Sequence, residues 1–154
     1  DDNEIINMLS KIWLPNDENF MDYQEIEAFI VSLMKDYKVK EVAYDPAFFE
    51  RSAQVLLDRG VPMVNFPQTH SRMIPACGNA YDLIANTKVR HNGDPTFTDQ
   101  VMSAAQRTTD MGWRLSKGRS KRKIDGAIAM VLMLDRITAP DPLDDEPEVA
   151  IINL

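Results

Sequence analysis

Lys121-Arg122-Lys123-Ile124-Asp125-Gly126-Ala127-Ile128-Ala129-Met130-Val131-Leu132-Met133-Leu134-Asp135-Arg136 is the stretch on which the reading of this chain turns. From Ile124 onward it is almost continuously apolar, the pattern of a helix buried round most of its circumference. One carboxylate, Asp125, interrupts the first turn. At helical spacing it shares a face with Ile128, Ala129 and Leu132. A charge on such a face needs a cation or a metal ion beside it, unless it serves only to complement the positive end of the helix dipole. Lys117, Arg119, Lys121, Arg122 and Lys123 lead directly into the helix. Such a run is either a solvated loop or a patch that meets a polyanion.

Upstream, short apolar runs alternate with helical periodicity. Ile5, Ile6, Met8, Leu9, Ile12 and Trp13 predict a strand within residues 4–14, closed by the turn signal Pro15-Asn16-Asp17. Asp22 with Glu25 three residues on has the form of a capping box, and Ile26, Phe29, Ile30, Leu33, Met34 and Tyr37 form the buried stripe of the helix it opens. Residues 39–44 predict a strand covered on both faces. Phe49, Ala53, Leu56 and Leu57 then recur at helical spacing up to Gly60, a natural C-cap, and residues 61–66 give another strand. This order of strand, helix and strand is that of a parallel α/β sheet. A further helix is expected over residues 71–86, with Met73, Ile74, Cys77, Tyr81 and Ile84 turned inward and Pro75 near its start. Arg90 to Pro95 reads as a tight turn, residues 97–107 as a short helix, and Asp110-Met111-Gly112 as a hairpin tip with Trp113-Arg114-Leu115 returning. Trp113 is expected to pack on the sheet.

Composition narrows the chemistry. The 154 residues suffice for one ordinary domain with a real core. The longest apolar run is too short to span a bilayer, and no basic-then-apolar leader precedes it, so the expectation is a cytoplasmic protein with no membrane partner. Cys77 is the one cysteine and His70 and His91 are the only histidines, which leaves little for a zinc site. Any metal would be held by oxygen and would be Mg²⁺ or Mn²⁺. The net charge of -7 is unevenly spread: Asp141, Asp144, Asp145, Glu146 and Glu148 crowd a Pro-rich stretch that reads as a non-core acidic tail over residues 139–154. The domain proper is then residues 1–138, much closer to neutral and carrying the basic run.

Asp45 is the second candidate. It ends the strand over residues 39–44, where ligands bind in open parallel α/β sheets, although Asp before Pro is also a favourable N-cap followed by a favoured first helical residue. If Asp45 and Asp125 converge, they offer the carboxylates that divalent ions need to promote in-line attack of water on a phosphodiester, with the basic run on the nucleic-acid backbone.

Several motifs now fall into one order: Trp13-Leu14-Pro15, Glu41-Val42-Ala43-Tyr44-Asp45-Pro46, Gly60-Val61-Pro62-Met63-Val64, Arg90-His91-Asn92-Gly93-Asp94-Pro95 and Lys123-Ile124-Asp125-Gly126-Ala127-Ile128-Ala129. In sequence and spacing they resemble the nuclease domain of tailed-bacteriophage large terminase subunits, from Trp13 to Arg136. The resemblance implies a ribonuclease H-like α/β fold, a mixed sheet flanked by helices, and a two-metal endonuclease that cuts concatemeric double-stranded viral DNA during head filling. It implies Asp45 and Asp125 as catalytic metal ligands for Mg²⁺ or Mn²⁺. Lys117, Arg119, Lys121, Arg122 and Lys123 then lie close to DNA, and His91 is a further candidate contact. The implied partners are an N-terminal ATPase domain, the small terminase subunit and the portal, in a phage or prophage setting within a bacterial cell.

Two departures qualify the match. The family's first metal-binding aspartate lies on a strand upstream of residues 5–14, so that first strand is expected to be missing here; Asp1, Asp2 and Glu4 are not placed on a core strand and do not substitute. No G-x-x-x-x-G-K-[ST] phosphate loop occurs in these residues. Two rival functions remain at this point. One is a non-catalytic DNA-binding or packaging module of the same fold, and the other a small-molecule phosphotransferase.

Overall fold

The computed structural model describes residues 4–18 and 20–140. The carboxylates of the acidic tail, Asp141 to Glu148, lie outside them, as do Asp1 and Asp2. In chain order the elements are β1 (Ile6–Met8), α1 (Tyr23–Asp36), β2 (Val42–Tyr44), α2 (Pro46–Asp58), β3 (Met63–Asn65), α3 (His70–Ala85), β4 (Val89–His91), α4 (Pro95–Met102), β5 (Gln106–Thr109), β6 (Gly112–Leu115) and α5 (Asp125–Ile137).

Aspartates set where the helices begin. Asp22 accepts from the backbone N–H groups of Gln24 and Glu25, Asp45 from Ala47 and Asp94 from Phe97, each satisfying donors that the first helical turn leaves without partners. Glu25 does not complete a capping box. Its Oε1 instead accepts from the Trp13 indole Nε1 at 3.1 Å, tying the segment after β1 to α1. At its far end α2 closes through Gly60, whose positive φ of 81° suits the left-handed position that ends a helix.

The expected α/β order is present, but its strands are shorter than the apolar runs suggest and pair in separate ribbons. β2 and β3 run parallel with Ala43 opposite Val64, joined through α2 as a βαβ unit. β1 runs parallel to β4 with Asn7 opposite Arg90, so Arg90 and His91 belong to a strand and only Asn92 to Asp94 form the turn. β5 and β6 make an antiparallel hairpin with Thr108 opposite Trp113. The helix expected over residues 97–107 therefore stops at Met102. Beyond it Gln106 and Arg107 are drawn into the hairpin by pairing with Leu115 and Arg114.

α5 is the centre of the core. Ala127, Ile128, Met130, Val131, Leu132 and Leu134 are buried along it, against Met73, Ala76, Cys77 and Ala80 of α3, Phe97 of α4, and Phe66 after β3. Tyr81 and Ile84, expected to face inward, are instead 62% and 45% exposed, because α3 turns only its Met73, Ala76, Cys77 and Ala80 stripe to α5. Pro75 lies inside α3 rather than at its first turn, where it removes one helical hydrogen bond. α1 has no fully buried residue. Its expected buried stripe is only half-covered, since Ile26 and Ile30 face a groove and Tyr37 is exposed. Among the described residues no helix is long and apolar enough to cross a membrane.

Candidate functional site

The groove has a volume of about 1090 Å³ and runs between α1, β2 and α5. Ile26 and Ile30 line it from α1, Val42 to Tyr44 from β2, and Ile128, Ala129, Leu132 and Met133 from α5. Asp45 and Asp125 both border it. Asp45 follows the last residue of β2, and Asp125 is the first residue of α5. β2 and the start of α5 thus bring to one groove two carboxylates eighty positions apart in the sequence.

Each oxygen of Asp45 has its own task. Oδ1 accepts from the Ala47 backbone N–H at 3.0 Å, capping α2, while Oδ2 accepts from Gln68 Nε2 at 2.6 Å. Gln68 also borders the groove, and its carbonyl accepts from Arg114 at 3.0 Å. The cap and the groove position therefore coexist in one side chain. Sequence reading missed Gln68: a lone glutamine after a strand carries no motif.

Asp125 is largely solvated, with its side chain 60% exposed, and Lys117 Nζ lies 2.5 Å from its Oδ1. The counter-charge that the sequence demanded is thus a lysine from the basic run. Capping of α5 falls to a different residue. Ile124 gives no side-chain cap, but the buried Gln100 of α4 reaches across so that its Oε1 accepts from Gly126 N at 2.6 Å.

The basic loop divides into tied and untied residues. Arg122 clamps both oxygens of Asp99 at 2.7 Å, which raises the guanidinium pKa further through that hydrogen bond and charge. Arg119, Lys121 and Lys123 are exposed and form no ion pair with a described residue. At the other end of the groove Arg136 grips Glu41 through Nε at 2.7 Å and a terminal nitrogen at 2.8 Å, joining the end of α5 to the approach to β2. The Tyr44 hydroxyl bonds to Glu50 at 3.1 Å; loss of hydration, and then Glu50, push its pKa up.

Other candidates lie elsewhere. His91 does not border the groove: its Nδ1 accepts from Gly93 N at 3.1 Å and its ring lies 5.6 Å from that of Phe97. Trp113 meets Tyr81 edge to face at 6.1 Å, beside a second, apolar cavity of about 510 Å³ between α3, α5 and the hairpin. Among the described residues no group of three or more His, Cys, Asp or Glu side chains is disposed to hold a metal ion. What the groove offers is two hard oxygen donors from Asp45 and Asp125, one of them already holding an ammonium cation. Carboxylate oxygens are the donor type of a hard divalent ion such as Mg²⁺, which binds through one or two carboxylates and completes its shell with water.

Comparison with known proteins agrees with this architecture. The chain is 28% identical over 116 residues to the terminase large subunit of Enterobacteria phage HK97, covering 73% of this chain and 23% of that protein. The crystal structure of the HK97 large terminase superposes with a TM-score of 0.69 at 26% identity, over 77% of this chain and 25% of that one. The large terminase nuclease of thermophilic phage G20c, solved with bound magnesium, shares the fold at a TM-score of 0.61 and 18% identity, over 77% of this chain and 64% of that one. The chain thus spans about a quarter of the length of its HK97 relatives. Residues 2–141 match the family model described as the endonuclease domain of the terminase large subunit. With the ribonuclease H-like fold in place and the match covering nearly its whole length, the chain belongs to the terminase large subunit endonuclease-domain family.

Proposed function

We propose that this domain is a divalent-metal-dependent endonuclease that cuts double-stranded DNA, with Asp45 and Asp125 as the metal ligands. The observation that carries this reading is that both carboxylates border one groove, together with Lys117 from the basic loop. Mg²⁺ or Mn²⁺ bound there would supply activation of water and stabilisation of the departing oxygen. The chain's own residues do the rest. Gln68 fixes the Asp45 carboxylate, and Gln100 holds the start of α5 so that Asp125 stays at the groove. Lys117, Arg119, Lys121, Arg122 and Lys123 would neutralise backbone phosphates, contacts that position a duplex without reading its sequence. His91, which does not border the groove, would be a DNA contact outside it. A pair of ions asks for a further carboxylate beyond Asp45 and Asp125.

Family membership supports the wider setting. The substrate would be concatemeric viral DNA, cut in a bacterial cytoplasm during head filling, and the partners an N-terminal ATPase domain, the small terminase subunit and the portal. Residues 1–138 would form the nuclease domain and residues 139–154 an acidic appendage. A second reading, a DNA-binding packaging module without catalysis, draws on the absence of a three-carboxylate cluster among the described residues.

Nicking of supercoiled plasmid in Mn²⁺, Mg²⁺ or EDTA separates the two. Metal-dependent nicking by the native chain, lost in Asp45→Ala and Asp125→Ala, is the expected result. A folded native chain that binds DNA yet cuts in neither metal would leave the packaging module.

A further inference from the structure

We infer that Lys117 is a displaceable counter-cation: it holds Asp125 while the groove is metal-free and turns to the DNA backbone when a divalent ion takes that carboxylate. The inference rests on the metal-dependent reading above and assigns Lys117 a positioning role that the other basic residues of the loop do not share.

Three features of the geometry lead there. The first is place. Lys117 and Asp125 both border the groove, as does Asp45, so the ammonium at 2.5 Å from Asp125 Oδ1 sits on the carboxylate that the metal-dependent reading assigns to the ion. Arg122 makes the contrasting pair. It clamps both oxygens of Asp99, and neither residue borders the groove.

The second is ease of exchange. The Lys117 side chain is 49% exposed and that of Asp125 60%. Ion pairs in such settings are weak because water screens them and two side chains must be ordered. At equal distance a doubly charged ion attracts the Asp125 carboxylate about twice as strongly as one ammonium does. Asp125 also stands at the positive end of α5, which supports its charge during the exchange.

The third is a fixed loop carrying a free side chain. On either side of Lys117 the backbone is tied down: Ser116 N donates to Ala105 O at 2.9 Å, and Arg119 N and Ser120 N donate to Ser116 O at 3.2 and 3.1 Å. Ser120 Oγ accepts from Ala105 N at 3.0 Å and donates to Ser116 O at 2.7 Å. Only the four-carbon stem of Lys117 has to swing. Metal binding thereby releases one positive charge to the groove rim. By linkage, a ligand that draws Lys117 away from Asp125 favours the metal in return.

The test needs no cleavage. Mn²⁺ binding is measured by calorimetry without DNA for the native chain, Lys117→Met and Asp125→Asn, with thermal melts showing that each is folded. Lys117→Met should bind Mn²⁺ about two- to five-fold more tightly, the range that an exposed ion pair contributes, and Asp125→Asn should lose the site. Duplex affinity is then titrated against salt in EDTA and in Ca²⁺. The native chain should gain about 0.9 in the slope of log affinity against log salt when Ca²⁺ is present, one released phosphate contact, and Lys117→Met should gain none. Unchanged or weaker Mn²⁺ binding by Lys117→Met, with the site intact in the native chain, overturns the exchange alone. Mn²⁺ binding that is absent from the native chain, or undiminished in Asp125→Asn, overturns the metal reading and the exchange together.

Discussion

Gln100 Oε1 accepts from the Gly126 backbone N–H at 2.6 Å inside the core, so the helix that carries Asp125 is capped by a residue of another helix. A Cβ built on Gly126 would lie 3.0 Å from that oxygen, 3.1 Å from Ile12 Cδ1 and 3.2 Å from Phe97 Cδ2. A side chain here would need these three neighbours to give by a few tenths of an ångström. Gln100→Leu should cost about 1–3 kcal/mol, the penalty for a buried donor left without a partner. Gly126→Ala should cost about 1–3 kcal/mol through overpacking, reduced by alanine's better helix propensity. Urea denaturation reads both. Each should also lower nicking beyond its effect on stability, since each shifts the residue beside Asp125. Native-like stability for both variants would remove the helix cap from the account.

Two helices end in the same hydrogen-bond pattern but with different residues at the critical position. After α2, Gly60 N donates to Leu57 O and Val61 N to Leu56 O; after α3, Thr87 N donates to Ile84 O and Lys88 N to Leu83 O. This is the paired motif that closes a helix through a left-handed residue. Gly60 takes that conformation at no steric cost, whereas Thr87, at φ 55°, is a β-branched residue held where its Cβ is crowded. Thr87→Gly should therefore stabilise the domain by about 1 kcal/mol, and Gly60→Thr should destabilise it by at least as much. Chemical denaturation of the two variants checks the opposite signs.

How far the sequence could be read depended on whether the signal was local. Asp22, Asp45-Pro46 and Gly60 mark helix ends through their own side chains or backbone freedom, and the helices lie close to where those marks predict; Asp94-Pro95, read as the end of a turn, caps α4 in the same way. Strands needed their partners. Gln106 to Thr109 has no apolar alternation and becomes a strand only through pairing with residues 112–115, which is why Gln106 and Arg107 read as the end of a helix. The pairing of Ile6 with Val89 has no local trace. Asp45 and Asp125 were legible because each sits at a boundary with a distinctive neighbour, Pro46 or the apolar run. Gln68 and Gln100, which hold those boundaries in place, are single polar residues whose roles exist only once distant elements meet.

Cys77 provides a pH dependence. Its thiol is buried, and loss of hydration pushes its pKa above the ordinary value of 9.0, outweighing the lowering by the Leu115 N–H and Arg114. A raised folded-state pKa means that the stabilising preference for the neutral thiol is complete below the unfolded value and is lost as pH rises through the folded one. Melting temperature should therefore fall from pH 8 to pH 10 more steeply for the native chain than for Cys77→Ala. Folded protein should react with a thiol reagent at pH 8 far more slowly than protein in urea. Parallel melting curves for native and variant would refute the linkage.

The basic loop should contribute unevenly to DNA binding. Arg119, Lys121 and Lys123 are exposed and unpaired to any described residue, whereas Arg122 is held by Asp99. Alanine at each of the first three should lower the salt slope of duplex binding by about 0.9, with little change in sequence preference. Arg122→Ala should do less, because its charge is already neutralised by a carboxylate. Equal slopes for all four variants would show that the Asp99 pair opens on DNA and that the loop acts as one undivided patch.

Asp45 joins a structural and a proposed chemical role in one carboxylate, and two substitutions divide them. Asparagine caps a helix about as well as aspartate, whereas alanine at a cap costs about 0.5–2 kcal/mol. With the Gln68 amide turned so that its oxygen meets the new Nδ2 donor, Asp45→Asn should keep near-native stability while losing the charge that a divalent ion requires, and Asp45→Ala should lose both. Plasmid nicking should vanish in each, with only Asp45→Ala shifting the urea midpoint. The asparagine variant is the decisive one, because its loss of activity cannot be assigned to an unravelled α2. Nicking retained by a stable Asp45→Asn would leave Asp45 a purely structural residue, the cap of α2 and the partner of Gln68.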